Sequence, residues 1–329
     1  MKKGLRWALV GASSIARDHM VRAIRAGDGT IVAVQSANLD RAEALAADFA
    51  LPLATQSLDQ AIEGADAVYV SSVNDKHCAQ TLQALSAGCH VLCEKPIATE
   101  LNDARRMIAA ANEAGCVLAV NHHLRHSAVH RVIRDYIVSG RIGTVRAVTL
   151  SNAGWLPQHL RNWRLDIPGA GIALDKTVHD IDLLRFLLDE DPRHVSASLS
   201  GPPGAPPHAI MGIVDFGRDL SAQFHDDFDA PFGQTRLEVI GDAGRLVAED
   251  CLSGRPAGTL KLYSRGEIGV VTPPLHDPYA ALIANFHMGV QTGTPIAASG
   301  RDAAIALATA LAAVQSASTG IRTAIESLQ

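Results

Sequence analysis

From residue 5 to about residue 120 the chain alternates short, nearly continuous apolar runs with longer segments whose apolar positions recur every three to four residues. The runs at 7–10, 31–34, 67–70, 91–93 and 117–120 lack polar alternation, as parallel strands buried on both faces do. Between them, 15–26, 40–49, 77–87 and 102–114 carry helical spacing, and Gly27, Gly88 and Gly115 stand where three of these helices stop. The alternation predicts a doubly wound parallel sheet, the Rossmann architecture, over residues 1–121.

After residue 121 the rhythm changes. A helix over 127–138, a strand at 146–152 and a helix over 172–188 lead into strands at 195–200, 209–216, 221–228, 236–240, 245–248 and 259–263, which follow one another with no helix between them. That succession predicts an α+β domain over 122–329 built on a large, mainly antiparallel sheet and closed by helices starting near Tyr279 and Asp302. The Pro/Gly run from Gly201 to Pro207 is flanked by strands and is expected as a loop within one sheet, with a domain linker as the alternative.

Composition narrows the function. With 329 residues, 47% of them apolar, the chain can bury two cores without staples. A net charge of -5 and scattered basic residues exclude a nucleic-acid backbone as partner. Five cysteines without C-x-x-C spacing indicate neither a disulfide framework nor a zinc knuckle and fit a reducing compartment. The N-terminus has no signal-peptide apolar region and no run of 18 apolar residues occurs, so the expectation is a cytoplasmic protein with no membrane partner.

The chemistry begins after the first run, where Gly11-Ala12-Ser13-Ser14-Ile15-Ala16 opens a helix. In a dinucleotide loop Gly11 makes the tight turn, Ser13 and Ser14 offer hydroxyls to a phosphate at the helix N-terminus, and Ala16 permits close helix–strand packing. An ordinary strand–helix turn also favours small residues. The second strand ends without a carboxylate for a ribose, while Ser36 and Arg41 suit a 2′-phosphate, so NADP(H) is favoured and NAD(H) is possible. Arg41 can equally be a solvated helix-start residue. Ser71, Ser72 and Asn74 leave the third run toward the pyrophosphate and ribose, and His77 is either a ligand contact or a packing residue.

Glu94-Lys95-Pro96 follows the fourth run, and the proline restricts the lysine backbone, which aims the side chain from a strand's carboxyl end. In the 172–188 helix, Asp175, His179 and Asp182 fall along one edge of the apolar stripe formed by Leu174, Val178, Ile181, Leu184 and Leu188. Asp175 can orient His179, a candidate proton donor, although a polar edge facing water has the same pattern. Asn121, His122 and Arg125 are expected as hydrogen-bonding groups of an inter-domain cleft, in preference to a metal site at His122, His126 and His130. His159, Trp163 and Arg164 offer polar arms and an indole suited to a sugar ring, or a surface lid.

In combination, the glycine loop, Glu94-Lys95-Pro96 and Asp175 to His179 resemble the glucose-fructose oxidoreductase/inositol dehydrogenase (Gfo/Idh/MocA) family across nearly the whole chain. Ser13, Ser36 with Arg41, Asn121-His122-His123-Leu124-Arg125 and Trp163-Arg164 are similar to its NADPH-dependent sugar-carbonyl reductases. The resemblance implies catalytic roles for Lys95, Asp175 and His179, with Gly11, Ser13, Ser14, Ile15, Ser36, Arg41, Ser71, Ser72, Asn74, His77, Glu94, Asn121, Trp163 and Arg164 about the cofactor. Lys95, His122, His159, Trp163, Asp175 and His179 are then expected around a sugar or polyol substrate, in a monomer or a homo-oligomer formed through the C-terminal sheet. A non-catalytic dinucleotide sensor is the alternative class. Lys176 has no counterpart in the resemblance, and the expectation is that its cation lowers the pKa of His179 or binds an anionic substrate group.

Overall fold

The computed structural model describes residues 4–161, 164–165, 170–254, 258–266 and 268–328. They form two compact units: the chain up to His123 together with Tyr279–Ala304, and Leu124–Pro278 together with the chain from Ile305 onward.

The first unit is a parallel sheet of β1 (Arg6–Val10), β2 (Thr30–Gln35), β3 (Ala54–Thr55), β4 (Ala67–Val70), β5 (His90–Cys93) and β6 (Leu118–Val120), ordered β3-β2-β1-β4-β5-β6. Five strands lie where the apolar runs predict them; β3 has two residues, too few for a periodic signal. The helices are α1 (Val21–Ala26), α2 (Leu39–Phe49), α3 (Leu58–Ile62), α4 (His77–Ser86) and α5 (Leu101–Ala114). Asn38 and Ser57 cap α2 and α3 by accepting the N–H groups of Arg41 and Gln60. The strand order reverses between β1 and β4, so their exits flank the topological switch point where open α/β sheets take ligands.

The expected boundary at residue 121 is corrected in one respect. Tyr279–Ala304, assigned from the sequence to the second domain, belongs to the first unit. The cause is apolar burial: Tyr279, Leu282, Ile283 and Phe286 of α6 (Pro278–Thr292) join the cluster around Trp7 and Met20. Trp7 also donates its indole N–H to Nε2 of His287 at 3.1 Å.

The second unit carries β7 (Val145–Ala153), β8 (His194–Ser200), β9 (Ala209–Gly217), β10 (Leu220–Asp227), β11 (Thr235–Gly241), β12 (Gly244–Glu249), β13 (Thr259–Ser264), β14 (Ile268–Val271) and β15 (Thr323–Ala324). They form a nine-stranded sheet ordered β14-β13-β12-β11-β7-β10-β9-β8-β15, antiparallel at every pairing except β7 with β10. Edge strands β14 and β15 are short and escape the sequence reading. The residues of α7 (Val178–Leu188) that pack into the core include Ile181, Leu183, Leu184 and Leu187, alongside Phe216, Phe224 and Phe228 of the sheet region. The helix expected over 172–188 is not uniform: a π turn, Ala173–Thr177, precedes α7, and the Val178 N–H reaches the carbonyl of Ala173. No helix among the described residues is long and apolar enough to cross a membrane.

Candidate active site

In the first unit the predicted residues gather at the carboxyl edge of the parallel sheet. Gly11 follows β1 with φ of 103°, and a Cβ there would stand 2.6 to 2.7 Å from the backbone of Ser71 and Ser72. The close approach of the β1 and β4 exits therefore requires glycine. Ser13 accepts the Ala16 N–H at 3.1 Å and donates to Ser71 Oγ at 2.8 Å, and Ser71 donates onward to the Gly11 carbonyl at 3.1 Å. These two hydroxyls, expected toward phosphate, stitch the turn together. Ser14 at the helix opening is exposed, and Ile15 is half-buried against the core.

Ser36 is buried at the end of β2 and accepts the Asn38 N–H, while Arg41 in the first turn of α2 is exposed. Ser72 donates to Oε1 of Gln80, and Asn74 is half-buried in a single 3₁₀ turn, Asn74–Lys76. His77, expected among the cofactor contacts, is only 1% exposed. Its ring nitrogens lie 2.8 Å from the Pro96 carbonyl and 3.2 Å from the Ser72 carbonyl. Burial lowers its pKa, and its position corrects the expectation: the imidazole braces the β4 and β5 exits against each other.

Glu94 organises the β5 exit. Its Oε1 accepts the Tyr69 hydroxyl and the Asn121 side-chain amide, each at 2.5 Å, and its Oε2 accepts the Lys95 N–H at 3.3 Å. Burial raises the carboxyl's pKa, while the Tyr69 and Asn121 hydrogen bonds and Lys95 pull it down. Lys95, half-buried, precedes Pro96 through a cis bond. Glu94 thus holds the lysine backbone from within. Asn121 and His122 are each 1% exposed, so His122 is a buried residue here. The buried Oδ1 of Asn121 meets no donor among the described residues. Tyr69 was missed, although a tyrosine in an otherwise aliphatic buried strand signals a hydroxyl needing a partner.

In the second unit, Asp175 lies within the π turn and pairs with Nε of Arg164 at 3.3 Å, and Arg164 also donates to the Leu160 carbonyl at 3.3 Å. Arg164, expected near the cofactor, pairs with a catalytic candidate. His179 is half-buried in the first turn of α7 with its Nδ1 turned inward. Asp182, placed by helical spacing on the same polar edge, is 1% exposed and bonded bidentately to Arg125, with both contacts at 2.7 Å. Arg125, 6% exposed, is therefore a core ion-pair member and not a ligand-binding arm. The π turn and the all-round burial of α7 defeat a single amphipathic wheel. Trp163 lies outside the described residues, as does the side chain of His159.

Lys176 corrects the last expectation. Its ammonium turns into the sheet, donating to the carbonyls of Asn152 at 2.7 Å and Asp227 at 2.9 Å. His126 and His130 are buried imidazoles whose pKa values fall to about 3 and about 4 through desolvation. Nδ1 of His130 lies 2.9 Å from the Leu124 carbonyl. Among the described residues no group of three or more His, Cys, Asp or Glu side chains is placed to hold a metal ion.

Comparison with known proteins identifies the family. Residues 5–122 match the model of the Gfo/Idh/MocA oxidoreductase family with its NAD-binding Rossmann fold, and residues 130–247 match the family's C-terminal domain. The chain is 43% identical to 1,5-anhydro-D-fructose reductase of Ensifer adhaerens over 98% of each sequence. It is 30% identical to inositol 2-dehydrogenase of Rhizobium meliloti over 95% of this chain and 96% of that one. An aldose-aldose oxidoreductase from Caulobacter crescentus, solved with glycerol, shares the fold at a TM-score of 0.90 and 23% identity, over 97% of this chain and 99% of the other. With both domains matched and the glycine turn and Lys95 edge in place, the chain belongs to the Gfo/Idh/MocA family and is an oxidoreductase acting on sugar hydroxyl or carbonyl groups.

Proposed function

We propose that the protein reduces the carbonyl of a small sugar with NADPH, and that 1,5-anhydro-D-fructose is its substrate and 1,5-anhydro-D-mannitol its product. The observation carrying this reading is the Tyr69–Glu94–Asn121 cradle, which fixes Lys95 on the same sheet edge as the Gly11 turn. The reductase relative supports the choice of sugar.

The residues present fit a dinucleotide phosphate. Gly11 brings two strand exits together, Ser14 and Arg41 are exposed at two helix starts, and Asn121 Oδ1 is a buried acceptor awaiting a donor. Ser36, Asn38 and Arg41 would hold the 2′-phosphate, with Ser14, Ile15, Ser72 and Asn74 along the nucleotide. The bound nicotinamide supplies the hydride. Lys95 stabilises the carbonyl oxygen as it gains negative charge, and His179 gives that oxygen its proton. Asp175, held by Arg164, orients His179 or a substrate hydroxyl.

The test is loss of reduced-nicotinamide absorbance on mixing the protein with NADPH and a panel of keto and aldehydo sugars. Turnover should be greatest with 1,5-anhydro-D-fructose and fall at least about a hundredfold in Lys95→Ala and His179→Ala. Undiminished rates in both variants would defeat the assignment. The inositol 2-dehydrogenase relative favours a second reading, oxidation of a polyol or inositol by the same groups run in reverse. Faster reduction of NAD(P)+ with such an alcohol than oxidation of NADPH with any sugar would select it.

A further inference from the structure

The strand ends of β7 and β10 carry a buried polar cluster that none of the roles above uses. Asp180 and Asp226 are both 0% exposed, and each carboxyl bears on the other's protonation. Thr177 donates to Oδ2 of Asp226 at 2.5 Å, and Nδ2 of Asn152 lies 3.1 Å from both oxygens of Asp180. The Lys176 ammonium, bonded to the Asn152 and Asp227 carbonyls, sits 5.2 Å from the centroid of the Phe228 ring. Asn152 and Asp226 are register partners in the only parallel pairing of the nine-stranded sheet among the described residues. One ammonium therefore clamps two strands that run side by side in the same direction.

The same ammonium belongs to the π turn that bears Asp175 and leads to His179. A π turn inserts a residue into a helix, and its backbone geometry is less favourable than the α form, so it persists where something holds it. Lys176 and Thr177, the last two residues of this turn, are both fastened to the cluster. Two carboxyls buried together cannot both be charged cheaply, and burial with mutual repulsion raises Asp180. A proton shared between Asp180 and Asp226, with Lys176 charged, leaves the cluster neutral. It also supplies the hydrogen that Oδ1 of Asp226 otherwise lacks.

We propose that Lys176 is a positioning residue: by fastening the π turn to β7 and β10, with Asp226 as counter-ion, it sets the rotation of the helix at Asp175 and His179. The inference rests on the proposed function for its kinetic consequence and on the fold alone for its structural one.

The test compares wild type with Lys176→Met and with the double variant Lys176→Met/Asp226→Asn. Three readouts are followed: melting temperature, steady-state kinetics with NADPH and sugar, and the His179 ring-proton resonance, assigned with His179→Gln. In the single variant the melting temperature and kcat both fall. In the double variant no charge is left buried alone, so melting recovers. Its kcat nevertheless stays down about tenfold, with KM for sugar and NADPH within about twofold, and the His179 resonance stays displaced. Recovery of kcat and of the wild-type resonance together with stability would overturn the proposal, because the clamp would then be dispensable. Failure of the double variant to fold would overturn it equally, by making the cluster a requirement of the fold. If the wild type turns over no sugar, the reaction reading fails and the His179 resonance still decides this one.

Discussion

The side-chain amide of Asn121 donates to Oε1 of Glu94 at 2.5 Å, joining the exits of two adjacent parallel strands 27 residues apart in sequence. The same oxygen takes the Tyr69 hydroxyl from the next strand over. Three neighbouring strands thus converge on one carboxylate, directly beside Lys95.

Removing that carboxylate strands two donors. Glu94→Ala leaves the Tyr69 hydroxyl and the Asn121 amide unsatisfied in a buried place and should cost about 3 kcal/mol. Denaturant titration checks the stability, and turnover should fall at least about tenfold because the Lys95 backbone loses its anchor. Wild-type stability in this variant would mean that the hydrogen bonds are incidental.

Arg41 is exposed on the first turn of α2, so its removal should not change the melting temperature. If it meets a 2′-phosphate, Arg41→Ala should raise KM for NADPH about tenfold and leave KM for NADH within about twofold. Equal effects on the two cofactors would remove Arg41 from the phosphate site.

The Arg125–Asp182 pair is almost fully buried, with side chains 7% and 1% exposed. Breaking it from one side leaves a charge without a partner in the core. Either Arg125→Ala or Asp182→Ala should destabilise the second unit by about 3–5 kcal/mol, whereas Arg125→Met with Asp182→Leu should recover most of the loss. A double-mutant cycle by urea unfolding measures the coupling.

Asp180 makes stability depend on pH with a sign opposite to that of an exposed ion pair. Its carboxyl is raised in the folded state by burial and then by Asp226, so the folded protein binds the proton more tightly than the unfolded chain does. The resulting stabilisation is complete below about pH 3.9, the ordinary value for aspartic acid, and is lost as pH rises through the raised value. Asp180→Asn imitates the protonated form and should therefore flatten the decline of melting temperature as pH rises above about 4 by roughly 2–4 °C. Thermal melts from about pH 4 upward, wild type against variant, would expose an unchanged slope.

The local pattern carries far in this chain. Continuous apolar runs at β1, β2, β4, β5 and β6 mark strands buried on both faces, and turn signals spaced through residues 195–263 mark a mainly antiparallel sheet. For the same reason Gly11, Lys95 and Asn121 could be assigned to strand exits before any coordinates: in a parallel sheet every exit lies on one edge. β3 and β15, two residues each, are too short for a period to register, and β14 is a half-exposed edge strand that lacks the continuous apolar run of a buried one.

Partnership is what the linear order withholds. Nothing near His77 in sequence announces the Pro96 carbonyl, and nothing near Asp182 announces Arg125, because these contacts cross 19 and 57 residues. Helical spacing set Asp182 beside Asp175 and His179 on an edge facing water, yet a π turn shifts the phase of the helix and burial leaves no such edge. The elements, their order and the residue types at the sheet's carboxyl edge follow from periodicity and from how parallel strands are connected, so they can be read along the chain. Which polar groups stay open to a ligand and which are spent on each other depends on packing: a buried donor or acceptor takes whatever partner comes within about 3 Å, and packing is not written along the chain.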